Sequence, residues 1–148
     1  MKIQEYLELA TQDLLEARTY ITTNSIPVVR YKDFNTDREE LTAVVSCNSI
    51  NRVAPNAPMW ECALEVRGVS RKQQDIVGAE SDELTDDLQD EMYQTLTTST
   101  LQAAVDAVQA SSGVTIDGLV NLSTEDEETD EFNVITLTTN VYLTFVKP

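Results

Sequence analysis

Three acidic or amide residues at alternate positions are the sequence's nearest approach to a metal site. Asp33, Asn35 and Asp37 match the D-x-N-x-D opening of a calcium-binding loop. That loop needs glycine at its sixth position and a bidentate glutamate at its twelfth, where this chain has Arg38 and Val44. We therefore predict a polar turn here, because Asp and Asn side chains bond their own backbone in turns, and we expect no metal or cofactor.

Other acidic residues cluster in two places. The clusters are Asp86, Asp87, Asp90 and Glu91, followed later by Glu125, Asp126, Glu127 and Glu128. Carboxylates at this density attract hard cations, but a run of adjacent acids without a turn glycine is more typical of a solvated surface. We expect the first group to form the outer face of a helix and the second to form a hairpin tip.

The residue types needed for most catalysis are missing. The chain has no histidine, which removes the commonest general base and metal ligand, and it has two cysteines, Cys47 and Cys62. It contains no G-x-S-x-G, phosphate-loop, paired C-x-x-C or HExxH motif. We predict that the protein is not an enzyme. A small enzyme with an Asp/Glu pair stays open, and it would need a concave pocket in which carboxylates have a raised pKa.

Size and charge narrow the class of protein further. The chain has 148 residues, which predicts a single domain spanning 1–148 with one core. Its 26 acidic and 10 basic residues give a net charge of −16, which argues against specific nucleic-acid binding. No apolar run reaches the roughly 20 residues that a membrane span requires. The N-terminal stretch lacks a signal peptide's apolar region, so we expect a protein made in the cytoplasm.

A long C-terminal strand organises the predicted fold. The segment from Phe132 to Val146 is rich in β-branched residues and alternates in polarity, which is typical of a strand with one face on a core. One parity, broken only by a threonine, holds Ile135, Leu137, Thr139, Val141, Leu143 and Phe145. At the other end of the chain, apolar residues at alternating spacings of four and three predict an amphipathic helix. They are Ile3, Leu7, Ala10, Leu14, Ala17 and Ile21, and Asn24, Ser25 and Pro27 end the helix.

Three strands are predicted after this helix, at Pro27–Lys32, Leu41–Cys47 and Met59–Arg67. Each of the last two strands has its apolar residues on one side, and these two apolar sides coincide if the strands form a hairpin. The register that we expect pairs Val45 with Leu64, Ala43 with Val66, and Cys47 with Cys62. In a reducing compartment the two cysteines would then be small buried thiols in cross-strand contact.

A long irregular connection from Gly68 to Ser81 precedes the second half of the chain. Ser81 or Asp82 can cap a helix whose buried stripe is Leu84, Leu88, Met92 and Leu96. A third helical piece or kinked extension follows, with Leu101, Ala104, Val105 and Val108 on one face, and then a strand from Val114 to Leu122. The predicted fold class is α+β, with an antiparallel sheet on which an N-terminal helix and a central helix or kinked helix pair are packed.

This order of elements resembles the tail terminator (tail completion, minor tail) proteins of long-tailed bacteriophages. The resemblance lies in chain length and pattern, from the strand triplet ending in WECALEVRG to the closing VITLTTNVYLTFV. It implies a hexameric ring that ends the tail tube and meets the head connector, in a virion assembled in the host cytoplasm. Arg67, Arg71 and Lys72 would then meet an acidic surface of the next subunit. The two acidic groups would face solvent or a channel through which DNA passes without sticking.

Two other readings stay open. One is a head-completion or connector adaptor protein of the phage neck, which shares small α+β building blocks with terminators. The other is an acidic DNA mimic, in which carboxylates imitate phosphates in the groove of a host enzyme. Ring formation or incorporation into tails favours the terminator, and binding of a free monomer or dimer to such an enzyme favours the mimic.

Overall fold

The computed structural model describes residues 3–34, 41–56, 58–71, 88–108, 113–128 and 132–145, with backbone alone at 70–71, 121–128 and 132–133. The helices are α1 (Ile3–Glu16), α2 (Thr19–Thr23), α3 (residues 88–95) and α4 (Thr98–Val108). The strands are β1 (Val28–Arg30), β2 (Thr42–Arg52), β3 (Met59–Arg71), β4 (Val114–Glu128) and β5 (Phe132–Phe145), and a 3-10 turn at Tyr31–Asp33 follows β1.

One five-stranded sheet, in the order β1-β2-β3-β5-β4, forms the base of the described fold. The pairs β2·β3, β3·β5 and β5·β4 are antiparallel, and β1·β2 is parallel. With an N-terminal helix and further helices beside this mostly antiparallel sheet, the α+β prediction is confirmed.

The core lies between one face of the sheet and the helices. β5 contributes a full row of side chains that are at most 1% exposed, namely Ile135, Leu137, Thr139, Val141 and Leu143. Each apolar member of such a row stabilises the fold by about 1.5–3 kcal/mol relative to an exposed position. Leu88, Met92 and Leu96 of the second predicted stripe are buried above the sheet, as expected, while Leu84 and the proposed cap lie outside the described residues.

The N-terminal helix is two helices, so the prediction of one unbroken helix to Ile21 is wrong. Arg18 has an extended backbone (φ −74°, ψ 133°) between α1 and α2. The buried stripe of α1 ends at Leu15, whereas Leu14 is partly exposed and Ala17 is exposed, unlike the predicted stripe. No Gly or Pro marks the break. The predicted end is confirmed, because Ser25 adopts φ 51° and Ile26 N–H donates to the Ile21 carbonyl, the pattern that closes a helix.

The β2·β3 register differs by two residues from the predicted one. Val45 pairs with Val66, Ala43 with Gly68, and Cys47 with Leu64. The physical reason is that β2 continues to Arg52, through the first half of the predicted loop, so the hairpin turn is shorter than expected. A shift of two keeps each side chain on its predicted face, and the apolar faces still coincide.

Two other predicted connections are partly strand. β3 runs on to Arg71, which takes the first residues of the expected irregular connection, and β4 runs on to Glu128, which takes most of the expected acidic tip. Both extensions pair with β5, whose 14 residues offer partners along this length. Backbone pairing therefore overrides the low strand propensity of Asp and Glu.

The break before α4 is a side-chain cap, which confirms the predicted third helical piece. The Thr97 hydroxyl accepts from the Thr100 N–H at 3.3 Å, and the Thr100 hydroxyl accepts from the Thr97 N–H at 3.1 Å. This reciprocal arrangement satisfies two backbone donors that a helix start leaves free. Of the calcium-like segment, Asp33 ends the 3-10 turn, and Asn35 and Asp37 lie outside the described residues.

Candidate functional site

Of the predicted basic cluster, Arg67 is the residue whose side-chain contacts the structure describes. Its Nη2 donates to Glu65 Oε2 at 2.8 Å, and 41% of its side chain is exposed. Its Nε is buried and meets no hydrogen-bond acceptor among the described residues. Arg71 is the last residue of β3 and pairs with Phe132, while Lys72 lies outside the described part. Arg67 therefore presents a partly exposed positive charge, while its unbonded Nε is shielded from a partner at the surface.

The predicted acidic face on the second helix divides into different environments. Asp90 is exposed on α3, and Asp86 and Asp87 lie outside the described residues. Glu91 is 19% exposed in its side chain and accepts from Arg18 Nε at 2.6 Å. Glu91 therefore ties α3 to the α1–α2 break.

The acidic run of β4 lies at the same end of the sheet as the basic end of β3. Thr136 of β5 pairs with Arg67 on one side and Glu125 on the other. Val134 similarly lies between Val69 and Glu127. Because neighbouring strands are about 4.8 Å apart, the two charged segments lie roughly 10 Å apart across β5. The fold thus brings together two groups that are more than 50 residues apart in sequence.

A buried polar cluster, which the sequence analysis missed, joins α1 to the sheet. Glu8 Oε1 accepts from Arg30 at 2.8 Å, and its Oε2 accepts from the backbone N–H of Cys47 at 3.1 Å. That N–H lies at a β-bulge, because the register shifts between Cys47 and Ser49. Gln4 bonds the Cys47 carbonyl and Gln12 the Val28 carbonyl. The signal was the spacing of four between Gln4, Glu8 and Gln12, which makes a polar stripe.

Cys47 and Cys62 are free, buried thiols, and the predicted direct pairing between them is wrong. The shifted register pairs Cys47 with Leu64 and Cys62 with Ile50, so the two thiols are diagonal to each other on β2 and β3. The hydrogen bond to Cys62, then burial, raises the pKa of Cys47. Accepting that bond lowers the pKa of Cys62 against the opposing effect of burial. Cys62 is 0% exposed, so no substrate reaches its sulfur in this conformation.

A shallow cleft lies at the α1–α2 break, lined by Ala17, Arg18, Thr19, Tyr20 and Glu91. Its charged groups are the two members of the Arg18–Glu91 ion pair. Across the part of the chain that the structure describes, no three Cys, Asp or Glu side chains form a group that could hold a metal ion. Within the same residues, no helix combines the length and the apolar character needed to cross a membrane.

Comparison with known proteins gives no family. No family model and no curated protein matches the chain. One solved structure, whose name states no function, aligns with 99% of both chains at 14% identity and a TM-score of 0.43. Similarity at this level indicates neither an activity nor a partner for this chain.

Proposed function

We propose that this chain is a structural virion protein of a long-tailed bacteriophage, a ring subunit that ends the tail tube and joins it to the head connector. The observation that carries the proposal is the open side of the sheet. β4 is a 15-residue edge strand that pairs only with β5 among the described residues. An edge of this length is a template for another chain, and natural monomers usually shorten or cover it.

The charges support assembly in preference to ligand chemistry. Arg67 is partly exposed, and the acidic end of β4 lies nearby on the same sheet. One small domain thus carries a basic surface and an acidic surface, so each copy can bind one neighbour through each of them. The partners in this proposal are further copies in a hexameric ring, the tail tube protein and the head connector or adaptor protein.

Net charge fits a ring through which DNA moves. At −16 the protein repels phosphates at long range, and Asp90 is exposed on α3. In this proposal exposed acidic groups such as Asp90 face the channel or the solvent, and no specific nucleic-acid binding occurs. The protein acts in the virion tail and neck, is assembled in the host cytoplasm, and has no enzymatic step.

The test is the location of the chain in particles made by the strain that encodes it. Gold labelling of a tagged copy should mark the junction between head and tail. Deletion of the gene should leave overlong tubes without heads, and the wild-type gene supplied in trans should restore joined particles. Label at the distal tip, inside the capsid or on no particle would reject the proposal. Label at the junction with tubes of normal length would assign the chain to the adaptor position instead.

A further inference from the structure

At the start of β4, a side chain makes the backbone hydrogen bonds that a neighbouring strand would make, and the open edge begins after it. The Ile116 N–H donates to Gln102 Oε1 at 2.7 Å, and Gln102 Nε2 donates to the Val114 carbonyl at 3.1 Å. The amide of Gln102, on α4, therefore imitates a neighbouring strand at residues 114–116. Among the described residues nothing equivalent covers 118–128, which spans roughly 35 Å at 3.4 Å per residue.

The protection of this edge is incomplete. Bulges lie between Ile116 and Gly118 and between Asn121 and Ser123, and such irregularities discourage indiscriminate pairing. Between them Val120 is 47% exposed. The strand contains no Lys, Arg or Pro, and its charged residues are all acidic: Asp117, Glu125, Asp126, Glu127 and Glu128. The charge of this edge therefore selects its neighbour, because the carboxylates repel an acidic strand and attract a basic one.

The same chain has a basic strand end, at the end of β3, whose charge is complementary to that of the β4 edge. β2 begins at Thr42, opposite Val69, so Ser70 and Arg71 pair with β5 alone among the described strands. Arg67 and Arg71 give this end two positive charges, and 41% of the Arg67 side chain is exposed. β5 separates this end from β4, so one copy cannot bring its own basic end to the outer side of its own β4.

We propose that the open part of β4, residues 118–128, binds the Arg67–Arg71 end of β3 in a second copy of this chain. This inference deepens the proposed function by naming the two surfaces through which copies meet, and it rests on that function for its role in a tail. Among the described strands, β4 is open on the side away from β5 and the end of β3 is open on the side of β2. The two surfaces therefore face opposite directions, and the contact is head to tail. A repeated head-to-tail contact closes into a ring when the rotation between copies permits.

The experiment uses two charge-reversal variants, each of which should associate poorly alone and should associate normally when the two are mixed. E125K/E127K/E128K makes residues 118–128 basic overall, with three lysines against Asp126, and R67E/R71E makes the β3 end acidic. Each variant alone should associate at least about tenfold more weakly than wild type, because two like-charged surfaces then face each other. A 1:1 mixture should recover association, since every reversed edge can meet a reversed β3 end in alternating order. Sedimentation velocity and native mass spectrometry report the species.

The matched control is D13K/E16K/D90K, which makes the same change in net charge as the edge variant at exposed positions on α1 and α3. It should associate at least as well as wild type. Circular dichroism and urea midpoints establish that each variant is folded. The proposal is overturned by a wild type that stays monomeric at every concentration, by a reversal that associates like wild type, or by a mixture that fails to recover. Persistent association of R67E/R71E would indicate a two-fold contact between β4 edges instead.

The outcomes separate this inference from the proposed function. Copies that associate through β4 while the gold label lies away from the junction would reject the phage role alone. Label at the junction with association insensitive to both reversals would reject the β4 contact alone.

Discussion

The carboxylate of Glu8 holds two buried groups at once, the Arg30 guanidinium and the backbone N–H of Cys47. Both members of the ion pair are largely shielded, with 11% of the Arg30 side chain and 15% of the Glu8 side chain exposed. Arg30 Nε already lacks an acceptor among the described residues. Removing the partner of a shielded cation costs much more stability than removing the partner of an exposed cation, because water cannot replace the lost contact.

We predict that Glu8→Ala lowers the free energy of unfolding by about 3–5 kcal/mol, measured by urea denaturation. The control is Glu91→Ala, which also removes an acid that pairs with an arginine. Arg18 is 36% exposed and stays solvated there, so the expected loss is at most about 1 kcal/mol. Equal losses in the two variants would contradict the assignment of Glu8 as a buried counter-charge.

At the scale of elements, Gly68 sets how closely α3 approaches the sheet. A Cβ at this position would lie 2.7 Å from Leu88 Cδ2 and 2.9 Å from Ile135 Cγ2, both closer than real contacts allow. Leu88 and Ile135 are at most 1% exposed, so neither side chain can turn into solvent without leaving the core. Gly118, in β4, has nothing within 4 Å of the corresponding point.

These two glycines give a paired prediction. Gly68→Ala should lower the free energy of unfolding by about 1–3 kcal/mol, because the added methyl overpacks the core. Gly118→Ala should change it by less than about 0.5 kcal/mol or raise it by up to about 1 kcal/mol, since the methyl restricts the unfolded chain. Thermal or urea unfolding measures both. A neutral Gly68→Ala would mean that α3 packs farther from β3 than described.

The same elements show what the sequence could and could not predict. The alternation in β5 predicted its buried row, including the polar Thr139, because one face of a strand must meet the core. The β2·β3 register failed by two, because the sequence marks Asn48 to Arg52 as a loop while pairing with Cys62 and its neighbours makes it a strand. The break at Arg18 failed too, since neither Gly nor Pro announces it and the contact that accompanies it, with Glu91, is distant in sequence.

The charges of the candidate surfaces could be predicted from the sequence, but their positions could not. Residue types alone marked Arg67 and Arg71 as basic and Glu125 to Glu128 as acidic. Their placement at one sheet end depends on the strand order, in which β5 lies between β3 and β4. The side-chain rung of Gln102 had no sequence signal, because an isolated Gln on a helix is more often solvated.

At the scale of the whole molecule, self-repulsion at a net charge of −16 opposes compactness. We predict that raising NaCl from low to moderate concentration increases the urea midpoint, with most of the rise complete by about 0.15 M, where the screening length is about 8 Å. D13K/E16K/D90K, with six units less negative charge, should show a smaller rise. A midpoint that falls with salt would mean that the attractive ion pairs outweigh the repulsion.

The position of β5 between β3 and β4 also has a consequence for synthesis. Among the described strands, a nascent chain that ends before Phe132 has no neighbour for β4 and none for β3 on that side. The long-range pairing that joins β4 to the rest of the sheet therefore waits until β5 has been synthesised, and a copy truncated before β5 cannot form this sheet.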